Sequence, residues 1–346
     1  LFVGRKSENM LVTCAGILVV DIIAANLPKV SEPGDLTYTP SGIEVHMGGH
    51  SGNVSVDLRK LGLKEGEVSV VAAVGQDVFG EFLRNVFETH GIVTHLQRVS
   101  HVGTSKNMAL IVAGEDRRFH VDIGANWHLS PEHVLAVLEK EKPVIFYVGG
   151  VGFTGNFDEE LAKVFERAKQ LGCLIFVDPV EPYKRGWDFL ISPLKWTDVF
   201  HCNRDEAQSI TGKSDPREAA KVLTIMGANL AIISMGKEGL IAKNQNTLIE
   251  VPAFKVSVID PTGAGDALCA GVLRGLLRKM MSGKRELTDL STGELVQILL
   301  EGSAAGAACV TKVGTTTAVT ESHVKQILEE QASLLLKTRV KVHSLS

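Results

Sequence analysis

Aromatic residues are scarce in this 346-residue chain, 5% of the total, which weakens any reading built on stacking nucleic-acid bases. Charge of one sign is scarce too. The 36 Lys and Arg against 40 Asp and Glu leave a formal net charge of −4, so neither nucleic acid nor an anionic membrane is the expected partner. No apolar run reaches the roughly 18–20 residues that cross a bilayer. The five cysteines (Cys14, Cys173, Cys202, Cys269, Cys309) are scattered and form no CxxC pair. This excludes a disulfide framework and reads as buried free thiols in a reducing, cytoplasmic compartment. A phosphate-binding P-loop is missing, because Gly212-Lys213-Ser214 lacks the earlier glycine. Protein-kinase signatures are missing as well.

What is present is a rhythm. Short runs rich in β-branched residues, at 11–20, 68–74, 144–148, 174–177, 199–202 and 230–234, alternate with segments of helical period at 53–61, 80–90, 131–140, 159–171, 217–226 and 267–281. This alternation predicts a mostly parallel sheet between two layers of helices. Two stretches, 28–46 and 96–122, keep β character but offer no helix. Two β insertions into one α/β domain predict a separate small sheet, a lid that would shut water out of a ligand cleft. The expected organisation is a single α/β domain over 10–330 with that lid. A tail from 331 to 346 completes the chain, in which a terminal helix turns basic and frays. Arg5 and Lys6 precede the apolar stretch from Met10 to Ala25 and imitate a signal peptide, but Asp21 interrupts the stretch. It reads instead as a buried strand running into a loop.

The densest chemical signal is Asp260-Pro261-Thr262-Gly263-Ala264-Gly265-Asp266. A β-rich run, 254–259, leads in and a helix of small residues leads out. Glycines let the chain turn tightly and approach a ligand. The backbone N–H groups of Gly263, Ala264 and Gly265 then crown a helix N-terminus, a ready site for a phosphoryl group on which charge builds. Asp266, in the first turn, is placed to take a proton from an attacking hydroxyl. An ordinary helix start uses the same residue types, but turn, anion site and base all stand here in register.

Three weaker strings accompany it. Met47-Gly48-Gly49-His50-Ser51-Gly52-Asn53 opens a helix, and its glycines allow a polyol to approach while the Asn amide can donate and accept. His46 and His50 are four apart, but the intervening glycines argue against a helical metal pair. Asn203-Arg204-Asp205-Glu206 follows a strand and suits either a capping box or hard-oxygen ligation of Mg²⁺. Ser234-Met235-Gly236-Lys237-Glu238-Gly239 follows another strand and reads as a tight turn. Taken in order, these strings resemble the ribokinase family, also called the PfkB carbohydrate kinases, over most of the chain from Met10 to Leu328. Pro261 stands where the family more often has Thr, and His50 where ribokinases often have Lys.

The resemblance implies a ribokinase-like three-layer α/β/α fold and a defined set of roles. Asp266 is the base, and Gly263, Ala264 and Gly265 form the anion hole. Asp21, Gly48, Gly49 and Asn53 contact the acceptor. Asn203, Ser234, Gly236, Gly239 and Gly314 contact the nucleotide. Glu206 handles Mg²⁺ through water, and Asp260 sits near a monovalent cation, K⁺. The Gly302–Val310 run of small residues closes on adenine. Asp77 is read as a helix cap. The expected reaction is transfer of the terminal phosphate of ATP to a hydroxyl of a small sugar. A nucleoside kinase of the same family is the alternative, with Phe119 or Trp127 against the base. A non-catalytic sugar-binding regulator is the third reading, against which Asp266, Asn203 and Glu206 argue. A homodimer paired through the lid edge is the expected assembly.

Overall fold

Strands that are apolar at nearly every position call for burial on both faces, and the chain supplies several. The computed structural model describes residues 10–115, 118–284 and 286–344; Arg5, Lys6 and the rest of the first nine residues lie outside them. In chain order, β1 (Val12–Gly16), β2 (Val19–Leu27) and β3 (Ile43–Gly48) precede α1 (His50–Lys60), β4 (Val68–Gly75) and α2 (Val78–Thr89). Then come β5 (Val93–Val99), β6 (Lys106–Val112), β7 (Arg118–Asp122), α3 (Pro131–Glu141), β8 (Ile145–Val151), α4 (Asn156–Glu159), α5 (Leu161–Gln170) and β9 (Leu174–Pro179). These lead to α6 (Ile191–Leu194), β10 (Val199–Asn203), α7 (Arg204–Thr211), α8 (Pro216–Met226), β11 (Leu230–Ser234), β12 (Leu240–Asn244) and β13 (Thr247–Val251). The chain finishes with α9 (Ala264–Met281), α10 (Thr292–Cys309), α11 (Glu321–Thr338) and β14 (Lys341–Ser344).

The central sheet has the order β14-β13-β12-β11-β10-β9-β8-β1-β4-β5. It is parallel from β5 to β11 and antiparallel from β11 to β14. Alternate residues feed two cores. Val12 and Cys14 of β1 and Ile145 and Tyr147 of β8 pack with α1, α2, α9, α10 and α11, while Phe146 and Val148 pack with α3, α5, α7 and α8. This is the three-layer arrangement expected from the β–α rhythm. All five cysteines are buried and free. Among the described residues no helix is long and apolar enough to cross a membrane.

Four expectations change. The 11–20 run is not one strand: the chain bends at Gly16, whose φ is +135° and where a Cβ would lie 1.8 Å from the Gly149 carbonyl oxygen. The next strand, β2, leaves for the second sheet. That sheet has the order β3-β2-β6-β7, so the lid starts at Val19 instead of 28. Residues 96–99 belong to β5 of the central sheet, where Leu96 pairs with Ala72. The run 254–259 forms no strand; it crosses between sheet and helix as irregular chain. The separation of a tail at 331 also falls. Leu335 of α11 is buried in the core, and Val342 of β14 pairs with Ile249 of β13. Charge at the chain end therefore does not prevent an edge strand whose outward residues are exposed.

Candidate functional site

From β1 the sheet continues through β4 to β5 on one side and through β8 to β9 on the other, so the order reverses between β1 and β8. Ligands in open α/β sheets bind beyond the carboxyl ends of strands at such a switch point. A cleft of about 460 Å³ lies there, lined by strand ends (Asp178, Asn203, Ser234), helix starts (His50, Asp266) and the lid. A second cleft of about 750 Å³ adjoins it, lined by Gly236, Gly239, Phe254, Leu268, Gly306 and Ala307 among others. The two share Ser234 and Gly265. The anion-site loop therefore stands at their junction.

The loop owes its shape to glycine. Gly263 caps α9 at φ +82°, and a Cβ there would lie 2.8 Å from Thr315 Cβ. Behind Gly265 lies the His201 ring, 3.4 Å from where a Cβ would be. Asp266 is 7% exposed, and its Oδ2 accepts a 2.7 Å hydrogen bond from Asn53 Nδ2. Asn53 in turn accepts from the Thr315 hydroxyl at 2.8 Å. Burial pushes the Asp266 carboxyl above the usual range; His50, Asn53 and His201 pull it back in part, and Asp178 adds to the rise.

The lid contributes a polar row. His46, Asp21, Asn107 and Val121 are successive register partners across its four strands. Asn107 Nδ2 donates to Asp21 Oδ1 at 2.9 Å, and buried Asn107 Oδ1 has no partner among the described residues. Burial raises the Asp21 carboxyl, with Asn107 and His46 opposing. Asp21 thus lies within a lid strand, not in a loop. Gly48 is absent from the cleft lining. A Cβ there would lie 2.1 Å from Asp21 Oδ2, so its glycine makes room for that carboxylate. Gly49, at φ +89°, does line the cleft and lets α1 start against Ile17 and Leu18. Asn53 also lines the cleft, with both ends of its amide engaged inside the protein by Asp266 and Thr315.

On the other wall, Asn203 and Glu206 form a reciprocal capping box, with Glu206 N donating to Asn203 Oδ1 at 2.9 Å and Asn203 N to Glu206 Oε2 at 2.8 Å. Both still line the cleft. Burial raises the Glu206 carboxyl. Gly236 and Gly239 line the second cleft, while Gly314 does not. Its N–H donates to Asp260 Oδ2 at 3.3 Å, and Asp260 Oδ1 accepts from Thr262 N at 3.0 Å and Thr262 Oγ1 at 2.7 Å. Asp260 thereby clasps the loop to the segment after α10. Of the small-residue run, Ser303, Gly306, Ala307 and Val310 face the second cleft, and Gly302 packs on Val272 of α9. Asp77 caps α2, accepting from Gly80 N at 2.9 Å, and also accepts from Thr104 N at 2.7 Å at the entry to the lid.

Four further residues, His201, Asp178, His50 and Asp57, complete the site; of these, local sequence marks Asp178 as a strand-end residue with room for a role near phosphate. His201 Nδ1 and Asp178 Oδ1 are 2.8 Å apart, and His201 Nε2 is 3.1 Å from Ser234 Oγ. Asp178 Oδ2 also accepts from the Tyr147 hydroxyl at 3.1 Å. Burial opposes charge on His201, but Asp178, Glu206 and Asp266 together outweigh it and the imidazole is raised; burial likewise opposes charge on Asp178, but His201, His50 and Tyr147 together outweigh it and the carboxyl is lowered. His50 is also raised against the effect of burial, by Asp266, Asp178 and Glu206. For His201 the only local signal is a histidine inside an otherwise apolar strand. Asp57, one turn beyond Asn53, is fully buried with neither carboxylate oxygen bonded among the described residues, and burial followed by Asp266 raises it well above the usual range.

Known proteins share this plan. An ATP-dependent 6-phosphofructokinase of Thermoanaerobacterium thermosaccharolyticum is 25% identical over 287 residues, spanning 80% of this chain and 84% of that protein. An aminoimidazole riboside kinase of Salmonella typhimurium is 27% identical over 283 residues, spanning 79% and 84%. The solved structure of a ribokinase from Giardia lamblia superposes with a TM-score of 0.79 at 19% identity, over 93% of this chain and 99% of its own, so the fold is ribokinase-like. The family model described as pfkB family carbohydrate kinase matches residues 9–322, and the protein, with its mostly parallel sheet and separate lid, belongs to that family of kinases.

Proposed function

We propose that the protein moves the terminal phosphoryl group of ATP in line onto a hydroxyl of a small sugar, with Asp266 as general base. The observation that carries this reading is the junction of two clefts at Gly265 and Ser234, with the Asp266 carboxylate on the lid side. The donor lies in the larger cleft, whose Phe254, Leu268 and Ala307 offer a flat base an apolar bed. The name of the phosphofructokinase relative supports ATP as the donor. The acceptor lies under the lid. Asp21 and the unbonded Asn107 Oδ1 are acceptors there, so they call for a ligand rich in O–H donors.

Asp266 takes the proton of the attacking hydroxyl, and its raised pKa brings it nearer the working pH than an ordinary carboxylate. Asn53, held by Thr315, keeps that carboxylate aimed. The amides of Gly263, Ala264 and Gly265 meet the charge that gathers on the phosphoryl oxygens. Glu206 and Asn203, hard oxygen donors on the cleft wall, are the residues that would hold Mg²⁺, which when bound neutralises phosphate charge. Asp260, which ties the Thr262 loop to Gly314, is the residue that would sit near K⁺, which when bound would help to hold the anion loop in place. Lid closure excludes water.

A nucleoside acceptor is the second reading, favoured by Phe119 and Val121 of β7, which put apolar surface over the acceptor cleft. A homodimer through the lid is proposed on the edge strand β3, where Ile43 and Val45 are exposed; a monomer in sedimentation would end it. The test of function is ADP release with ATP, Mg²⁺ and K⁺ against pentoses, hexoses, sugar acids, inositol and nucleosides, run beside Asp266→Asn. One acceptor whose turnover disappears in the variant supports base and class together. Wild-type turnover in the variant refutes the base. No turnover with any acceptor by folded protein points to an acceptor or donor outside the panel, and then to the non-catalytic regulator.

A further inference from the structure

The floor of the acceptor cleft holds more donor groups than phosphoryl transfer uses. His50, Asp178 and Asp266 come from α1, β9 and α9 and each offers one ligand atom, all within 4.8 Å of one another. The two carboxylates are oriented by a second tier: Asp178 by His201 and Tyr147, Asp266 by Asn53. Outer-shell hydrogen bonds of this kind are what align the ligands of a metal centre. The His50 ring, by contrast, has no hydrogen-bond partner among the described residues. Its Cβ lies 2.6 Å from where a Cβ on Gly149 would be, so the side chain is wedged between β8 and the two carboxylates. One imidazole and two carboxylates, opening on a cleft, match the donor count of a site that keeps a further position free. The imidazole sets this group apart from the all-oxygen wall of Asn203 and Glu206, because Mg²⁺ prefers oxygen and water while imidazole suits Zn²⁺-class ions.

We propose that His50, Asp178 and Asp266 form a second cation site that takes a Zn²⁺-class ion, and that this ion silences the enzyme by occupying the base. The inhibitory half rests on Asp266 being the base; the binding half does not. An ion bonded to the Asp266 carboxylate competes with the acceptor proton for it and lowers its basicity, so turnover stops without any change in fold or in nucleotide binding. Asp178 also belongs to a neighbouring group with His201 and Cys269, and this defines the rival location for the ion.

The test is titration of the nucleotide-free full chain with Co²⁺, read by visible absorption and by chelator competition, with Zn²⁺ inhibition of ADP release at saturating Mg²⁺ in parallel. The expected result is one ion per chain, visible bands of a mixed nitrogen and oxygen site, and affinity at least about tenfold weaker in His50→Gln and in Asp178→Asn. Zn²⁺ should inhibit, and a zinc chelator should restore the rate. Absence of one-to-one binding overturns the proposal, and so does unchanged affinity in His50→Gln. A thiolate-to-cobalt band in the near ultraviolet puts the ion on Asp178, His201 and Cys269 and also overturns it. Should Asp178→Asn not fold, His50→Gln alone decides. Co²⁺ binding as expected in a protein without kinase activity keeps the site and removes the reading of Asp266 as base.

Discussion

The central sheet and the lid are built to different rules. Every residue of β1, β4 and β8 is buried, whereas β7 is exposed throughout and β3 over its first half. The lid's own core is Ala24, Leu27 and Val112, with Leu110 against them. Groups on the proposed catalytic side of the cleft (Asp266, Asp178, His201, Asn53) stand on elements rooted in the large cores. Groups proposed to meet the acceptor (Asp21, Asn107, Phe119) stand on the thin sheet. Rigid elements hold a reacting geometry better than loops or thin layers do, while a weakly anchored layer can open and close. The division predicts that substitutions on the sheet side alter turnover and those on the lid side alter acceptor affinity.

The strongest test of that division is Asp266→Asn, which should lower kcat by about two orders of magnitude or more with little change in acceptor KM. Next is Asp21→Ala, which removes a charged hydrogen-bond acceptor from the lid. The expected effect is an acceptor KM raised by about 10–100-fold, from a loss of about 1.5–3 kcal/mol. A loss confined to kcat would break the comparison. Stability offers a third check. Asp57 has a folded pKa above its unfolded value, so the native state binds more protons and stability falls as pH rises from the ordinary carboxylate range through the raised pKa. Asp57→Ala should therefore stabilise the protein at neutral pH by about 1–3 kcal/mol, less the cost of a small void, seen as a higher Tm. No rise in Tm would mean that Asp57 has a partner in solution.

The smallest expected effect is on the acid limb of the pH–rate profile. As the proposed base, Asp266 must work as a carboxylate, and its raised pKa predicts that activity is lost, as pH falls, at a higher pH than an ordinary Asp would give. His50 opposes that rise, so His50→Gln should move the limb to still higher pH. A shift the other way would show that His50 does not carry positive charge in the working enzyme.

Local pattern carried a good part of this structure. The runs at 68–74, 199–202 and 230–234 announce their strands because burial on both faces demands predominantly apolar sequence. Pro216 and Gly227 bracket α8 for equally local reasons, at N1 and at the C-cap. The lid boundaries were not legible, since what moves β2 out of the central sheet is a close approach of Gly16 to Gly149, far away in sequence. β14 was not legible either, because an edge strand of alternating charged and apolar residues gains its place from a partner and not from propensity.

For the site the same line can be drawn. The string from Asp260 to Asp266 determined by itself a glycine turn, a helix N-terminus and a carboxylate in the first turn, because φ preference and helix-end chemistry act over a few residues. Only the tertiary structure decided what that carboxylate meets. The bond from Asn53 to Asp266 joins residues 213 positions apart, and that from His201 to Asp178 joins residues 23 apart on neighbouring strands. Periodicity and propensity describe one element at a time; which strand ends and helix starts converge is set by sheet order and by packing in the two cores, and those are properties of the folded chain alone.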